Sequence, residues 1–164
     1  MVKLPVIVYN RPSHNDVFMD AITMRNKLEV QAKREREKTG RYIRPIVLFQ
    51  AEPKGNDTTT FDKVKKNLMD VSIPESQIAI KTADKNELRG VNLLAEDCPI
   101  RYIITINALK EGWDCPFAYV LATIANRTSA VDVEQILGRI LRLPYTARSE
   151  SDVLNLSYVI TSSN

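Results

Sequence analysis

The feature that most limits the fold is a set of short apolar runs that do not alternate with polar residues. Leu4 to Tyr9 (LPVIVY), Pro45 to Phe49 (PIVLF), Ile100 to Ile106 (IRYIITI) and Ala118 to Ile124 (AYVLATI) are rich in β-branched residues. Gln77 to Ile80 adds a shorter run, and Leu154 to Thr161 (LNLSYVIT) closes the set. A strand with one wet face alternates in polarity, whereas a strand covered on both faces has no need to. The runs therefore predict a mainly parallel sheet carrying helices, an α/β domain.

The intervening segments read as helices and loops. Asp16 to Lys38 predicts a long helix, with Ser13 or Asn15 as its cap and Gly40 as its stop. Val17, Ala21, Met24, Leu28 and Val30 keep approximate helical spacing for its inner face. Its second half, KREREKTGR, reads either as a solvated helix end or as a phosphate-tracking face. The interleaved Glu29, Glu35 and Glu37 weigh against a purely basic groove. Glu52 to Asp57 is a loop. Thr58 to Met69 predicts a second helix, with Phe61, Val64 and Leu68 inward and Lys65 lying over the apolar stripe. Residues 83–97 are polar, with Leu88, Val91 and Leu94 spaced for a short helix. His14 reads as a loop or capping residue.

At 164 residues the chain is long enough for one domain with a proper core. A net charge of +3 is compatible with a nucleic-acid partner without requiring one. Cys98 and Cys115 make no C-x-x-C pair, and with one histidine there is no zinc framework, so no metal ligands are assigned. No apolar run is long enough to span a membrane and no signal-peptide pattern is present. The expectation is a cytoplasmic protein with no membrane partner.

Ser129 to Pro144, SAVDVEQILGRILRLP, predicts a helix of three to four turns. Ser129 with Asp132 forms its capping signature, and Pro144 marks its end. Ile136, Leu137, Ile140, Leu141 and Leu143 share one arc with Val133, while Gln135, Arg139 and Arg142 share the opposite one. Neither arginine has an acidic residue three or four positions away in the helix. Guanidinium groups are suited to a two-pronged grip on phosphate, so the arc reads as an anion-binding face. A solvated basic face is the alternative on this geometry alone. The second chemical stretch follows the Ile100 run. In Asn107 to Pro116, NALKEGWDCP, Gly112 permits a tight backbone path beside a ligand and Asp114 offers a carboxylate acceptor.

Two of these stretches carry a family resemblance. Q-x-x-G-R-x-x-R, from Gln135 to Arg142, resembles motif VI of superfamily-two helicases and translocases. Thr105 to Pro116 resembles motif V, one strand earlier, and Phe49 and Gln50 stand in the place of motif IV. ALKEGWDCP followed by QILGRILR is most similar to the Res subunit of type III restriction enzymes and its DEAD/DEAH-like relatives. The resemblance runs from about Pro45 to Leu143. Two departures stand out. The interval from Thr105 to Gly112 is one residue longer than in DEAD-box proteins, and Leu141 stands where many relatives carry glycine.

The resemblance implies a RecA-like three-layer sandwich, the second motor domain of a helicase, over residues 1–164. Residues 1–44 would be an amino-terminal strand and charged helix leading into it. It implies ATP with Mg2+, bound in a cleft shared with a first RecA-like domain of the same chain. Arg139 and Arg142 would face the γ-phosphate, at least one of them as an arginine finger. Gln135 would position nucleotide or water. Gly112, Asp114 and Gly138 would belong to the nucleotide side of the cleft. Thr105, Asn107 and Gln50 would contact nucleic acid. The implied partners are duplex DNA and a methyltransferase or specificity subunit.

The sequence contains no G-x-x-x-x-G-K-[ST] phosphate loop and no D-E-x-H or D-E-x-D motif. The expectation is therefore a fragment of an ATP-hydrolysing motor that is inactive alone. Two alternatives stand beside it. One is the same motor in RNA processing or DNA repair without restriction. The other is a non-catalytic α/β module that binds nucleic acid.

Overall fold

Ile46 to Phe49 have no exposure to water, which is the two-sided burial that a non-alternating run requires. In the computed structural model they lie in the middle of a six-stranded sheet. The structure describes residues 5–53, 60–106, 115–124, 133, 135, 136 and 149–162. The strands are β1 (Val6–Arg11), β2 (Ile46–Gln50), β3 (Ile78–Ile80), β4 (Tyr102–Thr105), β5 (Ala118–Thr123) and β6 (Ser157–Ser162). Their spatial order is β1-β6-β5-β2-β4-β3, and every pairing is parallel. β1 is paired along its whole length with β6, from Val6 opposite Ser157 to Arg11 opposite Ser162. The amino-terminal strand is thus part of the sheet itself.

Two helices cover one face. α1 (His14–Thr39) is capped by Ser13, whose hydroxyl accepts from the Asp16 amide at 3.1 Å. It ends at Gly40, whose φ of 78° is the left-handed geometry glycine tolerates and whose amide donates to Arg36 O at 2.8 Å. α1 packs across β5, β6 and β2. α2 (Phe61–Asp70) buries Val64 and Leu68 and packs on β4. Lys65 bends over the stripe to reach Glu75 at 3.4 Å. Right-handed crossovers place α1 and α2 on the same side of the sheet.

The structure corrects three readings. Residues 83–97 form successive turns instead of a short helix. Leu93 and Cys98 are buried there, while Val91 and Leu94 are exposed. Val30 is 50% exposed and lies off the inner face of α1, where the buried positions after Leu28 are Ala32 and Glu35. The charged end of α1 is not simply solvated. Glu35 is 3% exposed, and its carboxylate accepts from the backbone amides of Glu150 (3.0 Å) and Ser151 (3.4 Å). It ties the last turns of α1 to the short 3-10 turn (Asp152–Asn155) before β6.

The amino end of the sheet is held by two buried arginines. Arg44 is 1% exposed and has no carboxylate partner among the described residues. Its guanidinium donates to the carbonyls of Ile100 (2.7 Å), Ala95 (3.0 Å) and Leu93, and to the Tyr42 hydroxyl (3.2 Å). It also lies over the rings of Tyr42 and Phe117. Arg25 donates to Pro45 O at 3.1 Å, to the Tyr102 hydroxyl at 3.3 Å and to Glu29 at 3.0 Å. Glu29 also takes Arg101 at 3.2 Å. Burial alone would push the Glu29 carboxyl up; the hydrogen bonds and charges of Arg25 and Arg101 outweigh it and hold the group below its ordinary 4.5.

Two outcomes are expected. Arg44→Ala removes the guanidinium bonds to the carbonyls of Leu93, Ala95 and Ile100 and should lower stability by about 3–5 kcal/mol, the scale for breaking a buried charged network. A wild-type urea midpoint would show that these bonds are replaceable. A depressed carboxyl contributes stability that is complete above its unfolded value and lost as pH falls through its folded value. Stability should therefore drop as pH is taken below about 4.5, and Glu29→Gln should flatten that drop in acid denaturation curves.

Candidate functional site at the carboxyl rim of the sheet

Three neighbouring strands end in polar residues at one level. Gln50 of β2 is in register with Thr105 of β4 on one side and Thr123 of β5 on the other. Residues in register project to the same face of a parallel sheet. Phe49, one position earlier, stacks on Phe18 of α1 with ring centroids 5.7 Å apart. The polar row therefore projects to the face opposite α1. Backbone bonds carry the ladder past the row: Ala51 N donates to Thr105 O (2.8 Å) and Ile124 N to Gln50 O (2.9 Å).

The row is under-satisfied. Thr105 is 0% exposed, and its hydroxyl has no hydrogen-bond partner among the described residues. The buried side-chain oxygen of Gln50 also has none. A buried polar group left unbonded costs about 1–3 kcal/mol, so native proteins keep few of them. Two such groups stand on adjacent strands at the carboxyl end of a parallel sheet, the end where ligands bind in open α/β folds. The Thr105 hydroxyl can donate or accept, whereas the bare Gln50 Oε1 can only accept a hydrogen bond.

The structure places Thr105 and Gln50 side by side on adjacent strands. Gln135 is helical and exposed, while Ile136 beside it is 1% exposed and Val133 half-buried, which matches the two arcs read from the sequence. Asn107, Gly112, Asp114, Gly138, Arg139 and Arg142 lie outside the described residues, as does Ile140 of the apolar arc. Sequence reasoning missed Thr123, although it is the one threonine of the AYVLATI run and stands next to its end. It also missed a cleft on the α1 face, lined by His14 and Asn67 among others. Those residues sit on different helices, so no local spacing links them.

No family model matches the chain, and no curated protein does either. Among solved structures, the chain is similar to a variant of S. cerevisiae Dbp5 bound to RNA and ADP BeF3. The TM-score is 0.56 and the identity 14%, with 100% of this chain and 36% of that one covered. The fold is RecA-like. The six parallel strands and their order agree with the expected architecture, and the RecA-like sheet puts Gln50 and Thr105 on its carboxyl rim. The chain spans about a third of the length of the Dbp5 chain it resembles. Among the described residues, no helix is long and apolar enough to cross a membrane.

Because the Thr105 hydroxyl has no partner among the described residues, Thr105→Val should leave the fold unharmed and raise the urea midpoint, by about 1 kcal/mol of stability. A clear loss of stability would mean that the hydroxyl is bonded within the fold.

Proposed function

We propose that this chain is the second motor domain of an ATP-dependent DNA helicase or translocase resembling the Res subunit of type III restriction enzymes. The observation that carries the reading is the pair Gln50 and Thr105. They end adjacent strands of a RecA-like sheet with buried, unbonded oxygens. Thr105 also opens the sequence that resembles motif V. In this reading Thr105, Gln50 and Asn107 hold nucleic-acid backbone. Gly112, Asp114 and Gly138 line the nucleotide side. Arg139 and Arg142, with Gln135, complete the ATP site by stabilising charge on the transferred phosphoryl group. The chain has no phosphate loop of its own. ATP and Mg2+ would be held mainly by a first RecA-like domain, and this domain by itself would not hydrolyse ATP. Duplex DNA and a methyltransferase or specificity subunit are the proposed partners, in the cytoplasm.

A second reading is the same motor working on RNA, favoured by the RNA in the Dbp5 structure. ATP hydrolysis by the full-length protein, measured with duplex DNA and with RNA, separates the two by which one stimulates turnover. In the same assay Arg139→Ala and Arg142→Ala should each lower turnover about ten-fold or more, the scale of an arginine finger. Thr105→Val should weaken nucleic-acid binding while ATP affinity stays normal. Full turnover in both arginine variants would sink the motor reading.

A further inference from the structure

Three consecutive residues ahead of the last strand are held by two buried side chains. The Ser149 amide donates to Asn155 Oδ1 at 2.7 Å, and the Ser149 carbonyl accepts from Asn155 Nδ2 at 2.8 Å. One side chain thus bonds both backbone polar groups of one residue. The same Nδ2 donates to Ser151 O at 3.3 Å. From α1, the Glu35 carboxylate accepts from Glu150 N at 3.0 and 3.2 Å and from Ser151 N at 3.4 Å. Glu35, Ser149 and Asn155 are all buried. A carboxylate taken out of water must be bonded, and bonds to an ionised acceptor are about twice as strong as neutral ones.

The two halves of this clasp stand on firm supports. Glu35 lies on α1, which packs across β5, β6 and β2. Asn155 follows Leu154, which is 0% exposed, in the short turn that leads into β6. A connection to a strand does not need this holding for its own sake, because connections run over the surface and water satisfies their backbone.

Its place in the chain gives the clasp a consequence. Ser149 comes seven residues after Arg142. Ahead of the arginines, Ile136 is 1% exposed in the hydrophobic core and precedes Arg139 by three residues. The stretch 137–148 is therefore tied at both ends, by apolar burial at one and by the clasp at the other. Fixing both ends removes conformations that a stretch tied at one end would keep. Rate is sensitive to such freedom: a misplacement of about 1 Å caused far from the chemistry can cost on the order of a hundred-fold. We infer that Glu35 and Asn155 are positioning residues for the arginine pair, holding the return of the arginine-bearing stretch through the backbone of residues 149–151. This rests on the reading of Arg139 and Arg142 as ATP-site residues.

The test is steady-state ATP hydrolysis by the full-length protein, with duplex DNA or RNA, whichever stimulates turnover. Asn155→Ala and Glu35→Ala should each lower kcat about ten-fold with KM for ATP within about two-fold of wild type, the split expected when an interaction of the transition state is lost. Glu35→Gln keeps an acceptor oxygen for the two amides and should stay within about three-fold of wild type. Groups that act through one another are non-additive. In protein already carrying Arg139→Ala and Arg142→Ala, Asn155→Ala should therefore lower the residual kcat by about two-fold or less. Should an alanine variant fail to fold, Asn155→Asp, which keeps the acceptor for Ser149 N and loses the donors, takes its place with the same expected loss. Wild-type kcat in the clasp variants, or a full ten-fold loss persisting without the arginines, overturns the inference and leaves the motor reading standing. Full turnover in Arg139→Ala and Arg142→Ala overturns both.

Discussion

The guanidinium of Arg44 is the contact on which the amino end of this domain depends. Among the described residues it is buried without a counter-ion and held by main-chain carbonyls of Leu93, Ala95 and Ile100. A lone buried cation is costly unless its donors are all used. Here they are used on a stretch, residues 91–101, that has no helix or strand to satisfy its carbonyls before β4 begins. Turn bonds serve part of it, with Ala95 N donating to Asn92 O and Cys98 N to Ala95 O, and Arg44 supplies further donors. The same group packs against Phe117, whose left-handed φ of 69° is strained for an aromatic residue and starts the path into β5. Arg44 therefore sets the entry of three strands, β2, β4 and β5.

The two ends of the sheet are built differently. At the amino end, Arg25, Glu29, Arg101 and Tyr102 form a closed network with Arg44 beside it, and the polar groups find partners. At the carboxyl end, Thr105, Gln50 and His14 do not. Such a division is expected of a parallel sheet whose strand ends carry the chemistry. The Glu35 contact to the amides of Glu150 and Ser151 extends this bracing to the return path before β6.

Much of the fold was legible because burial on both faces leaves a local trace. Each of the six apolar runs became a strand, shifted by one to three residues. The caps of α1 were equally local: Ser13 bonds an amide three residues on, and Gly40 closes the helix within a turn. Reading failed where the partner lay far along the chain. Glu35 looked solvated because Glu150 and Ser151 are more than a hundred residues away. Leu88, Val91 and Leu94 had helical spacing, yet carbonyls in that stretch are drawn to Arg44 and the chain turns instead.

For the site, the sequence by itself determined the residue types and their order: a glutamine ending one apolar run, a threonine ending another, and two arginines on one helical arc. Period, spacing and chemical type are properties of neighbouring residues, so they survive without a fold. Only the tertiary structure decided that Gln50, Thr105 and Thr123 share one level of the sheet and one face. It alone decided that the oxygens of Gln50 and Thr105 are bare, and that His14 and Asn67 meet across a cleft. Strand order, register and desolvation arise from contacts between residues distant in sequence. No local pattern encodes whether a buried polar atom will find its partner.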